Sequence, residues 1–204
     1  MEKKLQESLS YFSDKISDTI KAKKNILVTT HIDCDGITSG SIISKALIRE
    51  GARCTVRTTN EFSHNLIHCL QKETRDLHVI TDLGGGFGKE LDQKIGDDWI
   101  VLDHHQIPDE EKDNQKVINA WKFGIDGGAE ICAGGMTYLA ATALRKENKD
   151  LSGIAVVSAL GDRQDQGNKK AFTGKNSEIA KTANELGIVD IDLDLLLVGR
   201  ETRP

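Results

Sequence analysis

Three short apolar runs, each ending on ionisable residues, constrain the fold of this chain more than any other feature. Asn25-Ile-Leu-Val-Thr-Thr30 leads into His31-Ile-Asp33-Cys-Asp35-Gly36. Leu77-His-Val-Ile-Thr81 leads into Asp82-Leu-Gly84, and Trp99-Ile-Val-Leu102 into Asp103-His104-His105. Runs this short, apolar and β-branched read as strands buried on both faces. Residues 3 to 23 place Leu5, Leu9, Phe12, Ile16 and Ile20 three or four apart, one apolar stripe of a helix packed on the domain. Gly36 to Glu50, Phe62 to Gln71, Cys132 to Arg145 and Ser152 to Leu160 read as further helices. Ala52 to Thr58 and Val117 to Asn119 read as further strands. Strands alternating with helices predict an α/β fold, a mostly parallel sheet with helices on both faces.

In such sheets ligands bind beyond the carboxyl ends of the strands. The ionisable residues at the three strand ends should therefore share one edge. Asp162, which follows the apolar run Ile154-Ala-Val-Val-Ser-Ala-Leu160, is expected to join them. On an extended segment His31, Asp33 and Asp35 would all face one way, with Gly36 letting the backbone turn into the next helix. Mixed imidazole and carboxylate ligands suit Mn²⁺ or a similar first-row ion better than a thiolate zinc site. The set exceeds the needs of one ion and suffices for two that share a carboxylate, typically ~3.5–4 Å apart.

Taken singly, each segment has a plainer reading. Asp82 could cap the helix that follows, Asp103-His104-His105 could be a turn, and Asp162 could end a helix. Their joint occurrence at element ends is what points to a metal site. The Gly84-Gly85-Gly86-Phe87-Gly88 stretch lacks the spacing of a dinucleotide loop and the Lys-Ser/Thr ending of a nucleotide loop. It is expected to be a tight strand-to-helix connection. Gly124 to Gly128 reads as a flexible connector inside the domain. Gly134 and Gly135, opening a helix, are candidates to offer backbone amides to a substrate phosphate, with a packing role as the alternative.

Composition narrows the context. A formal net charge of −5 argues against a broad basic face for nucleic acid, although a carboxylate-lined site is negative until its cations bind. No apolar run approaches the ~20 residues that span a bilayer, and MEKKLQESL lacks the apolar core of a secretion signal. A cytoplasmic protein that does not enter membranes is expected. Cys34, Cys54, Cys69 and Cys132 form no Cys-x-x-Cys pair and read as reduced, mostly buried thiols.

In order, HIDCDG, the Asp of ITDLG, LDHH and the Asp of ALGD resemble the four motifs of the DHH phosphoesterase superfamily. That superfamily includes RecJ exonucleases, oligoribonucleases, cyclic-dinucleotide phosphodiesterases and family II pyrophosphatases. The resemblance covers about residues 25 to 165, and finer features, including the ending GRETRP, are most similar to archaeal RecJ homologues. Some of those associate with the GINS complex of the replicative helicase.

The resemblance implies metal-dependent phosphodiester hydrolysis, here a RecJ-like exonuclease acting on single-stranded nucleic acid with two divalent ions, Mn²⁺ or else Mg²⁺. His31, Asp33 and Asp82 would bind the first metal. Asp35, Asp82, His104 and Asp162 would bind the second, with Asp82 bridging. Asp103 would orient the neighbouring imidazoles, and His105 would face the scissile phosphate. The alternatives are a phosphodiesterase for short oligonucleotides or cyclic dinucleotides, and a GINS-binding replication scaffold.

Two departures from the family pattern stand out. Relatives usually carry a C-terminal domain with a glycine-rich substrate clamp, and nothing after Asp165 resembles it. Residues 1–190 are therefore expected to form the catalytic domain. Residues 191–204, with the apolar stretch Ile191 to Val198, would begin a linker towards a missing substrate-binding domain. Asn119-Ala120 also stands where many relatives have Asn-Pro.

Overall fold

The computed structural model describes residues 2–192. Five strands form one all-parallel sheet in the order β2-β1-β3-β4-β5. They are β1 (Asn25–His31), β2 (Arg53–Thr59), β3 (Leu77–Thr81), β4 (Trp99–Asp103) and β5 (Val117–Asn119). The continuous apolar runs explain the centre of the sheet, where every residue of β3 and β4 is buried. At the β2 edge exposed Arg53 and half-buried Arg57, which pairs with Glu73, flank the ladder, charges that discourage pairing with another chain.

The chain passes from β1 to β2 on one side, then returns to place β3 on the other. The two directions of winding diverge between β1 and β3, and their carboxyl ends open a crevice there.

One face carries α1 (Glu2–Lys21), α2 (Cys34–Arg49) and α5 (Ala133–Leu144), whose side chains meet Ile26, Val28, Val79, Ile100 and Leu102 of the sheet. Thr19 rather than Ile20 completes the buried stripe of α1, and Ile20 is only half-buried. The opposite face is covered by α3 (His64–Gln71) and α4 (Gly88–Ile95), with Ile67 and Leu91 against Ile80, Trp99 and Val101. Behind α2 and α5 lie α6 (Ser152–Gly161) and α7 (Gly174–Glu185), packed through Ile42, Ala141, Ala155 and Ile179.

Neither α4 nor α7 is visible as an apolar stripe in the sequence. Each buries few large apolar residues, Leu91 in α4 and Ile179 in α7. The cysteines are free, but only Cys132 is buried, and Cys34 and Cys69 are exposed. The expected apolar stretch Ile191 to Val198 and the linker lie, apart from Ile191 and Asp192, outside the described residues. No described helix is long and apolar enough to cross a membrane.

Candidate metal centre

The first strand does not continue as an extended segment to Asp35. His31 closes β1, Asp33 caps α2 by accepting the Gly36 amide at 2.8 Å, and Asp35 already lies in the first helical turn. A strand-to-helix turn, not strand alternation, gathers the three residues. Gly36 is required by closeness: a Cβ there would lie 2.3 Å from the His31 carbonyl oxygen. Asp82 follows β3 in a left-handed backbone conformation, φ 63°, tolerated by Asp better than by most residues. It does not cap α4, whose N-cap is Phe87.

Asp103, His104 and His105 leave β4, and Asp162 is the C-cap of α6. The glycine run after β3 is the tight connection to α4, and its Gly85 amide donates to Asp103 Oδ2 at 3.0 Å. Asn119 holds the next turn, donating through Nδ2 to the His105 carbonyl at 3.0 Å and accepting the Trp121 amide at 3.0 Å.

These four segments meet. The potential ligand atoms of His31, Asp33 and Asp82 lie within 4.8 Å of one another, as do those of Asp35, His104 and Asp162, and those of Asp82, Asp103, His104 and His105. Asp82 and His104 each belong to two of these groups. Asp82 and Asp35 are both 2% exposed at the side chain, whereas Asp33 is 51% and His105 58% exposed. The centre is a cleft with a buried floor and an open rim.

Donor chemistry fixes the tautomers. A carbonyl only accepts, so His104 Nδ1 carries a hydrogen towards Gly127 O at 2.6 Å. His104 Nε2 then faces Asp82 Oδ1 at 3.3 Å and Asp35 Oδ2 at 3.4 Å. Likewise His31 Nε2 donates to Asn60 O at 3.1 Å, and its Nδ1 faces Asp33 Oδ2 at 2.8 Å and Asp82 Oδ2 at 3.7 Å. In both rings the lone-pair nitrogen of a neutral imidazole is turned towards carboxylate oxygens. That arrangement is repulsive unless a cation, proton or metal, lies among them. Asp82 Oδ2 is buried without any hydrogen-bond partner, a costly state for an anion. A divalent ion satisfies both conditions, and carbonyl-anchored imidazoles are the usual partners of metals. The residues fit a metal.

Titration follows from the same crowding. Burial, with Asp35 and Asp103 nearby, pushes the Asp82 carboxyl up to about 7 even though His104 opposes the shift. Burial disfavours the His104 imidazolium, yet Asp82, Asp35, Asp103 and the Gly127 carbonyl outweigh it and push its pKa up to about 10. In the absence of a metal the pair holds its proton on His104. Burial, aided by Asp35, raises Asp162. Burial alone would raise Asp103 too, but the hydrogen bond from His105 and both imidazoles hold it low. Asp103 Oδ1 accepts the His104 amide at 2.7 Å, the His105 amide at 3.2 Å and His105 Nδ1 at 2.8 Å. It is an anchored anion that leaves His105 Nε2 towards the rim, and Asp103 in turn raises the His105 pKa.

Asp35 is held as firmly. Its oxygens accept the Ala133 and Gly134 amides at 2.8 Å each, and the Ser158 hydroxyl. The Gly134 amide thus serves Asp35, and the Gly135 amide points to Cys132 Sγ at 3.4 Å. The Gly124 to Gly128 stretch is no mere connector, because Gly127 forms the wall behind His104. Neither Gly127 nor Ser158 stands out in the sequence. A glycine-rich stretch and a serine four residues before Asp162 were the only signals.

Residues 25–161 match the DHH family, N-terminal domain. An uncharacterized protein of Methanocaldococcus jannaschii is 34% identical over 196 residues, 90% of this chain and 43% of that protein. Exonuclease RecJ bound to manganese has a similar structure, with TM-score 0.71 and 19% identity over 86% of this chain and 46% of that one. CDC45 from Entamoeba histolytica gives TM-score 0.65 and 15% identity over 89% and 38%. The chain spans less than half the length of each of these proteins. With its motifs in order on the matching fold, the chain belongs to the DHH family and aligns with that family's N-terminal domain.

Proposed function

We propose that this chain is a metal-dependent phosphodiesterase of the RecJ type, an exonuclease on single-stranded nucleic acid that works with two divalent ions, Mn²⁺ or Mg²⁺. The observation that carries the reading is Asp82, whose two oxygens face different imidazoles and whose Oδ2 is buried and unpartnered. His31, Asp33 and Asp82 would hold one ion, and Asp35, Asp82, His104 and Asp162 the other. Two such ions would lower the pKa of an attacking water and neutralise charge on the phosphate.

The chain's own residues do the rest. Gly127 and Asn60 hold the imidazoles in one tautomer, so each presents a lone pair. Asp103 fixes the His105 ring by its Nδ1, and the half-exposed ring is free to donate from Nε2 to a phosphate oxygen in the cleft. The fold shared with exonuclease RecJ, whose structure holds manganese, supports this reading of activity and metal.

The test is cleavage of end-labelled single strands of graded length with Mn²⁺, comparing wild type with Asp82→Asn. Wild type is expected to shorten the strands progressively, and the variant to lose activity by about 100-fold or more. Activity confined to dinucleotides would recast the substrate as a short oligonucleotide or cyclic dinucleotide. Full activity of Asp82→Asn would sink the reading. If wild type is inactive but captures GINS subunits, and Asp82→Asn does so equally, the chain is a replication scaffold.

A further inference from the structure

Beside the proposed metal centre lie two buried side-chain amides. Gln164 is 1% exposed and Asn176 is 2% exposed. Gln164 Nε2 donates to Asp162 Oδ2 at 2.8 Å and to Gly127 O at 2.8 Å, with Ile131 O at 3.3 Å. Asn176 Nδ2 donates to Gln164 Oε1 at 2.5 Å, and the Asn176 amide is fixed on Glu130 O at 2.8 Å. An amide side chain is nearly symmetric in shape, so packing alone cannot tell its oxygen from its nitrogen. The acceptors break that symmetry: the Gly127 and Ile131 carbonyls and the Asp162 carboxylate can be met only by Nε2, which leaves Oε1 to accept from Asn176, whose own Oδ1 is buried without a partner.

We infer that Gln164, backed by Asn176, is a positioning residue for the metal centre, holding Asp162 and His104 at one spacing through the shared Gly127 carbonyl. The inference rests on the two-ion reading above. His104 Nδ1 and Gln164 Nε2 meet on the same Gly127 oxygen, at 2.6 and 2.8 Å. His104 comes from the end of β4 and Asp162 from the end of α6, elements separated in the chain. Nothing covalent fixes the two residues relative to each other. The Gln164 fork does, and it leaves Asp162 Oδ1 without a hydrogen bond among the described residues, free for an ion. Asn176 belongs to α7, so a helix behind the sheet, with no residue at the cleft, reaches the centre through two amides.

The experiment measures Mn²⁺ uptake by calorimetry, and the exchange-coupled signal of a Mn²⁺ pair by paramagnetic resonance, on the full chain. Wild type is expected to bind two ions and show the coupled signal. Gln164→Met keeps length and volume but donates nothing. It is expected to weaken one of the two ions by about 10- to 100-fold and lose the coupled signal, with the other ion within about threefold. A folded Gln164→Met that binds both ions as wild type does, even with a lowered melting temperature, overturns the inference, because a merely structural amide would behave that way. Should Gln164→Met not fold, Asn176→Ser is read instead, with a loss of about tenfold on one ion expected and less than about threefold overturning it. If wild type takes up no Mn²⁺, the two-ion reading itself fails and this inference with it.

Discussion

His104 and Gly127 are joined twice: the ring donates from Nδ1 to the Gly127 carbonyl at 2.6 Å, and a Cβ on Gly127 would lie 1.8 Å from the His104 carbonyl oxygen. The loop is therefore both partner and wall to the imidazole, and no side chain fits at residue 127. Gly127→Ala must push the two backbones apart, and overpacking of this kind costs roughly 1–3 kcal/mol. The expected outcome is a lower urea midpoint together with weaker Mn²⁺ binding, read by chemical unfolding and calorimetry. Wild-type Mn²⁺ affinity in the variant would show that the Gly127 contact does not set the ring.

The metal-free protein should lose stability as pH rises. The folded pKa of Asp82 is about 7 against an ordinary 3.8, and that of His104 is about 10 against 6.5. Both are raised, so the folded state holds the more protons and is favoured at low pH. The Asp82 contribution fades as pH climbs from 3.8 through about 7, and the His104 contribution from 6.5 through about 10. In chelator, the melting temperature is expected to fall from about pH 6 to about pH 9. With Mn²⁺ the trend should reverse, because protons compete with metal for the same atoms. A flat profile in chelator would contradict the assigned charges.

His105 is the exposed member of the pair, and its ring is anchored through Nδ1 to Asp103. His105→Ala is expected to slow hydrolysis by about 10²- to 10⁴-fold while leaving Mn²⁺ binding nearly unchanged. Steady-state kinetics beside a Mn²⁺ titration separates the two. Loss of both together would move His105 from substrate to metal.

Phe12 is fully buried between α1 and the sheet, far in function from the cleft. Truncation to Ala leaves a cavity worth about 3–5 kcal/mol. Urea unfolding should show that loss, and Mn²⁺ binding per folded molecule should stay at the wild-type level. A stability change under about 1 kcal/mol would mean that α1 contributes little to the core.

The division between sequence and structure falls along the range of the interactions. Runs such as Leu77 to Thr81 and the stripe Leu5, Leu9, Phe12, Ile16 are local patterns, and they determined the strands, most of the helices and the parallel sheet. The same runs told which residues end a strand, and so which ionisable groups share the edge beside β1, β3 and β4. The sequence had no means to show α7, with its small buried face, nor that Gly127, Ser158, Gln164 and Asn176 hold the centre. These contacts reach across the chain, as from Asp35 to Ser158, 123 residues away. Their strength lies in direction and burial, and only the packed fold sets either. Residue type and local period are written in the chain, whereas the orientation of a hydrogen bond between distant segments exists only once those segments have met.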